Sequence, residues 1–289
     1  MTGVQTCALP IYSVTIPEGL TSEQIVARLS DSDIFSGSVR ELPREGTLLP
    51  ETYKFPRGTP REQVIARMQQ AQKRVLAEIW ERRNPDIPIK TPEQLVTLAS
   101  IVEKETGKPD ERSRVASVFV NRLRQKIKLQ SDPTIIYGLV GGKGTLGRPI
   151  KRSEIQQPSP YNTYVVEGLP PGPIANPGRA SLEAAANPAR TRDLFFVADG
   201  TGGHAFSDTY DVHQKNVAKL RAMEKQIQND TVEPADDPPP PAAANASAAD
   251  TGAPAAPPKP AKKPATRPAP LLPRQGASPP PASSPVDQQ

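Results

Sequence analysis

Cysteine is almost absent from this chain: among 289 residues there is one, Cys7. A single thiol excludes an internal disulfide framework and a cysteine-based zinc site. Histidine is nearly as scarce. His204 and His213 lie nine residues apart with no third ligand at metal-site spacing, so neither a metal nor another cofactor is expected. Aromatic residues are 4% of the chain, with one tryptophan. No stripe of Lys and Arg interleaved with aromatics accompanies the formal charge of +5, so nucleic acid is not an expected partner. No run approaches the roughly 18 apolar residues of a membrane span.

What is present is concentrated between Leu95 and Gly138. Leu95, Val96, Leu98, Ala99, Ile101 and Val102 recur at helical spacing, and Gly107 and Pro109 end the pattern. At about 100° per residue, the apolar stripe centres near Leu95 and Val102, with Glu103 and Glu105 on opposite flanks. Neither reads as a plain solvent-facing charge. Glu105 falls in the last turn, where the negative end of the helix dipole disfavours a carboxylate. Burial acts in the same direction. A carboxyl group kept protonated near neutral pH is what general-acid chemistry on an ether oxygen requires. The helical wheel does not choose between the two glutamates, and pairing with Lys104, Lys108 or Arg112 is the ordinary alternative.

A second helix is expected from Glu111 to Arg124, with Val115, Val118, Phe119 and Leu123 facing the core. Arg112, Arg114, Arg122 and Arg124 read mostly as its solvated face. The stretch 129–134 should break that helix, because Pro133 pushes the residue before it to an extended conformation.

Elsewhere, residues 12–16 alternate like a strand, and Thr21 caps a short helix bearing Ile25, Val26 and Leu29. A longer helix follows Pro60 and ends at Trp80, expected at the edge of the core. Gly141 to Gly144 reads as a flexible loop, and Ser153 as the cap of a short turn. Tyr161-Asn162-Thr163-Tyr164 offers rings to pack on a sugar, with donors and acceptors for its hydroxyl and N-acetyl groups. Residues 181–187 form a short helix. Residues 194–207 form a hairpin around Asp199-Gly200-Thr201-Gly202-Gly203. A last helix from Asp211 packs Val212, Val217, Leu220 and Met223. From about Thr231 the composition changes: residues 231–289 hold 17 of the 36 prolines and no aromatic residue, the signature of a disordered tail.

The motifs IVEKET, VASVFVNRL, LQSDPTIIYG, SPYNTY, GLPPGPIANPG and FFVADGTGGHAFS, in this order, resemble those of the MltG-type (YceG-like) endolytic murein transglycosylases. The resemblance covers about residues 91–220, with weaker similarity back to residue 12. It implies an α+β fold of mixed helices and short strands. A partial, LysM-like module at 12–45 would hold glycan, 46–228 would be the catalytic domain, and 229–289 the tail. Residues 1–11 look like translated sequencing-adapter sequence and are set aside.

The resemblance also implies a reaction. The glycan strand of peptidoglycan would be cut between N-acetylmuramic acid and N-acetylglucosamine without water, leaving 1,6-anhydro ends and ending strand elongation. It assigns the essential acid to Glu105, followed by Thr106, with Glu103, Asp132 and Tyr137 in support. Gln130, Thr134, Tyr161, Asn162, Thr163, Tyr164 and His204 are candidates for substrate contact. The resemblance further implies cell-wall synthases as partners and a single-pass anchor in the bacterial inner membrane, upstream of this chain, with the catalytic domain on the periplasmic side. Two other readings stand beside this one: a hydrolytic muramidase pairing Glu105 or Glu103 with Asp132, and a glycan-binding scaffold without turnover.

Overall fold

The computed structural model describes residues 10–230. Most of the segment set aside as adapter-like, and the Pro/Ala-rich segment from 231 on, lie outside the described residues. The described part is α+β: eight α-helices and two separate two-stranded antiparallel sheets.

Strand β1 (Ile11–Thr15) pairs with β2 (Thr52–Pro56), with Ser13 opposite Lys54. Between them runs α1 (Ser22–Ser30), opened by a capping box in which the Thr21 side chain accepts from Gln24 N–H and Gln24 reaches back to Thr21 N–H. Ile16, Ile25, Leu29, Phe35, Leu48, Tyr53 and Phe55 form a small core, completed by Val64, Ile65 and Met68 from the first half of α2 (Arg61–Glu81). The 45/46 boundary therefore runs through this core. An isolated strand and helix expose too much apolar surface to stand alone, so they recruit the next strand and half a helix.

The larger core is built on α3 (Pro92–Glu105). Every residue from Leu95 to Val102 is buried, so α3 has no solvated stripe over two turns. It is covered by α4 (Arg112–Arg124), α7 (Arg179–Ala186), the second half of α2 and α5 (Asp132–Val140). Its two buried hydroxyls are satisfied: Thr97 donates to Glu93 O, and Ser100 donates to Thr97 O while accepting from Ile174 N–H. Gly46 sits where only a glycine fits. Its φ is +75°, and a Cβ there would lie 2.7 Å from both Pro173 and Val96.

Several local expectations are revised. Helix α4 ends at Arg124, but Asp132, the residue before Pro133, is not extended: it opens α5, with Pro133 in the first turn, where its missing N–H would be unpaired in any case. Arg112 and Arg122 are buried rather than solvated. Arg122 donates to the carbonyls of Leu194, Lys128 and Leu129 and to Gln130 Oε1, which offsets the desolvation of its guanidinium. Residues Gly141–Lys143 form a 3-10 turn whose Gly142 carbonyl accepts from Thr21 Oγ1, so this glycine stretch is docked on α1. The short helix α6 (Arg152–Gln156) is capped at Lys151, not Ser153.

The hairpin of β3 (Phe195–Ala198) and β4 (His204–Ser207) pairs Phe196 with Phe206. Phe196 drives edge-on into Phe119 of α4, fixing the hairpin to the core. The last helix, α8 (Tyr210–Asp230), packs on the hairpin, and His213 rather than Val212 faces inward: Val212 is exposed, while the His213 ring stacks on Phe195.

Candidate active site

Helix α3 ends at Glu105 because Thr106 turns to extended backbone (φ −142°, ψ 132°), so no left-handed glycine cap at Gly107 is involved. Thr106 is buried, and its hydroxyl accepts from Lys108 N–H. This turn leaves the Glu105 carboxyl at the edge of the core, partly buried, facing the N-terminus of α5. There Ser131 Oγ donates to Glu105 Oε1 at 2.5 Å. Ser131, the N-cap residue of α5, makes no side-chain bond to its own helix.

Burial pushes the Glu105 carboxyl up to about 7. The Ser131 bond and the charge of His204 oppose this, while the charge of Asp132 reinforces it. A carboxyl raised toward neutrality can both deliver and recover a proton. Asp132 itself is exposed and accepts from the Tyr164 hydroxyl at 2.7 Å. Burial, then Asp132, raises the Tyr164 phenol above its ordinary range, so it stays a donor.

His204 stands on the other side. Its Nδ1 lies 2.7 Å from Glu111 Oε2, and its backbone N–H donates to Glu111 Oε1 at 3.1 Å. Desolvation works against ionisation of Glu111, but the two His204 bonds outweigh it and hold the carboxyl below its usual range. The imidazole also meets Phe196 edge-on. Glu111 thus fixes the ring orientation of His204 through Nδ1 and leaves Nε2 for other partners.

The remaining candidates fall into three groups. Tyr137 and Tyr161 pair at 4.9 Å between ring centroids, and Tyr137 OH donates to Glu45 Oε2 at 3.3 Å. Thr134, Asn162 and Thr163 are buried and engaged internally. Asn162 Nδ2 donates to three carbonyls of the α6 segment; Thr163 Oγ1 accepts from Ser131 N–H and bonds Thr134 Oγ1. They set the backbone around Ser131 and have no free group to offer a ligand. Gln130, in left-handed conformation (φ 53°), binds Thr163 O through its N–H and accepts from Arg122 through its side chain.

Glu103 is elsewhere. Two residues along a helix differ by about 200°, and Glu103 Oε2 accepts from Gly178 N–H at 2.9 Å while Oε1 lies 3.9 Å from Arg112. Sequence reasoning passed over Ser131, Glu111 and Glu45. Ser131 sat inside a quoted motif between two chosen residues, and the polar residue preceding Asp-Pro was the available signal. Glu111 and Glu45 carried none, since their partners are 93 and 92 residues away. Among the described residues no group of three or more His, Cys, Asp or Glu side chains could hold a metal ion.

A partly buried carboxyl raised toward neutrality and held by a hydroxyl is an arrangement that can act as a general acid, here on an α+β scaffold. The chain belongs to the YceG-like family, whose model matches residues 3–219. It is 33% identical over 213 residues to the endolytic murein transglycosylase of Bacillus subtilis, covering 68% of this chain and 57% of that protein. It is 32% identical over 225 residues to the enzyme of the same name from Streptococcus pneumoniae, covering 70% of this chain and 40% of that one. The chain thus spans a little over half the length of the first of these relatives and two fifths of the second. Among solved structures it resembles the 2.6 Å crystal structure of a yceG-like protein from Listeria monocytogenes, with TM-score 0.58, 32% identity, and coverage of 72% of this chain and 76% of that one.

Proposed function

We propose that this protein is an endolytic lytic transglycosylase acting on peptidoglycan glycan strands, with Glu105 as its acid and base. The observation that carries the reading is the Glu105 carboxyl, raised to about 7 and held by Ser131 at the end of a buried helix. In the first step Glu105 gives its proton to the oxygen between N-acetylmuramic acid and N-acetylglucosamine as the C1–O bond breaks. In the second, the carboxylate takes the proton of the muramyl 6-hydroxyl as O6 bonds to C1, closing the 1,6-anhydro ring. The proton returns to Glu105, and no water is consumed. The pocket offsets developing positive charge with Asp132, which the Tyr164 hydroxyl holds in position by donating to it. The Tyr137–Tyr161 pair supplies a surface for a sugar ring.

The names of the relatives and the family match support the substrate and the reaction class. The cleavage terminates growing strands beside cell-wall synthases, and the residue 12–45 segment holds glycan. Among the described residues no helix is long and apolar enough to cross a membrane. Attachment to the bacterial inner membrane, with the cleft on the periplasmic side, is part of this proposal.

Mass spectrometry of uncrosslinked glycan strands digested by the wild type and by Glu105→Gln tests the reading. Anhydro-muramyl ends from the wild type alone are expected. Reducing ends would establish a hydrolase, and intact strands with a folded wild type a scaffold.

A further inference from the structure

A groove of about 460 Å³ lies along the face of α4 that carries Ser117, Asn121 and Arg124, between that helix and residues 188–192. Three guanidinium groups line it: Arg124, Arg190 and Arg192, with Asp86 as the one acidic side chain. The strip bearing two of them is pinned. Ala189 N–H donates to Ser113 O, Thr191 Oγ1 bonds Ser117 Oγ at 2.8 Å, and Asn121 Nδ2 donates to Thr191 O and Asp193 O, both at 3.0 Å. With Thr191 anchored inward, its neighbours Arg190 and Arg192 are exposed on either side.

Neither Arg190 nor Arg192 makes an ion pair or side-chain hydrogen bond among the described residues. The nearest carboxylate in sequence, Asp193, is already bonded to Arg114 at 2.7 Å. Arg124 is oriented by Asp86 O at 3.0 Å and keeps most of its five N–H donors uncommitted. Guanidinium forks recognise carboxylates and phosphates in bidentate fashion. Asp86 decides between them: it repels a phosphate polymer, and it suits a ligand that carries an amine beside its carboxylates.

We propose that this groove binds the stem peptides of peptidoglycan, through their carboxylates at Arg124, Arg190 and Arg192 and the diamino-acid amine at Asp86. The inference rests on the proposed peptidoglycan substrate and deepens it. Helix α4 begins beside Glu111, which holds His204, and by helical rise the groove lies about 8 to 18 Å along it from Arg112. A stem peptide hanging from a strand in the cleft spans that distance. The groove would make uncrosslinked, peptide-bearing strands better substrates than bare glycan.

The test is an NMR titration of the full chain with the synthetic pentapeptide L-Ala-γ-D-Glu-L-Lys-D-Ala-D-Ala, compared with its carboxyl-esterified form, pyrophosphate and phosphatidylglycerol vesicles. The expected result is saturable shifts of the Ala189 to Arg192 amides by the free peptide, about tenfold weaker for the ester and for Arg190→Gln/Arg192→Gln. Absence of peptide binding, an unchanged affinity in the double variant, or tighter binding of pyrophosphate or vesicles would overturn the proposal. Digestion of peptide-free glycan is run in parallel. The double variant should cleave it as the wild type does. Failure of both to cleave it, with peptide binding intact, would remove the proposed reaction and leave the groove.

Discussion

The Ser131 hydroxyl donates to Glu105 Oε1 across 2.5 Å and joins the last residue of α3 to the cap of α5. A bond to the carboxylate favours its charged form. Ser131→Ala should therefore move the Glu105 titration further upward from about 7, and the alkaline limb of the pH–rate profile with it. Loss of the positioning bond should lower kcat about tenfold at neutral pH, a part of the effect of general-acid catalysis. A pH–rate profile on purified glycan checks both.

Glu105→Gln should abolish cleavage to within about a hundredth or less of the wild-type rate. It should also change how stability varies with pH. The folded-state value of about 7 lies above the ordinary 4.5, so between these pH values the folded protein retains a proton that the unfolded chain has released. The contribution of Glu105 is full below pH 4.5 and is lost as pH rises through 7, by roughly 3 kcal/mol. Melting curves at pH 5 and pH 8 should show the variant gaining on the wild type at the higher pH.

Glu103→Gln should behave differently. Its carboxylate holds Gly178 N–H and faces Arg112, whose Nε is buried without a hydrogen-bond partner among the described residues. Losing the charge should cost about 1–2 kcal/mol, a drop in Tm of a few degrees for a domain of this size. Cleavage should stay within about threefold of the wild type, a margin well below the loss of a general acid. Differential scanning fluorimetry beside the glycan assay separates the two glutamates.

Glu111→Gln should weaken the hold on His204 Nδ1 while keeping an acceptor for the His204 N–H. Activity should fall about tenfold, with a smaller loss of Tm than for Glu103→Gln, because the Glu111 side chain is 16% exposed against 6% for Glu103. The Nδ1 and Nε2 chemical shifts of His204 report the change directly.

Glu45→Leu tests a structural hub. Glu45 Oε1 accepts from Ser22 N–H and from Asn176 Nδ2, and Oε2 accepts from Tyr137 OH. Asn176 in turn accepts from Leu48 N–H. Removing the carboxylate unpairs the Ser22 N–H and the Tyr137 hydroxyl, while Asn176 Nδ2 keeps Leu20 O and Ser22 Oγ; the loss should be about 2 kcal/mol, and Tm should fall by about 5 °C.

The sequence by itself determined the local elements and the family. Helical spacing located α3 and α4, Thr21 the start of α1, and Asp199 to Gly203 the hairpin turn, since each signal lies within one or two turns of chain. Quoted motifs pointed to Glu105 over Glu103, which the helical wheel left equal. Only the tertiary structure decided how their environments differ. Ser131 is 26 residues from Glu105 and Gly178 is 75 from Glu103, and nothing in a periodic pattern encodes such pairings. The same holds for Arg122, read as solvated because arginine usually is. It is buried because the Leu194 carbonyl, 72 residues away, and three acceptors from residues 128–130 just past its own helix converge on it. Periodicity reports which face of an element is apolar; which polar groups meet across that face is set by packing, where the desolvation of each charge has to be matched by a partner.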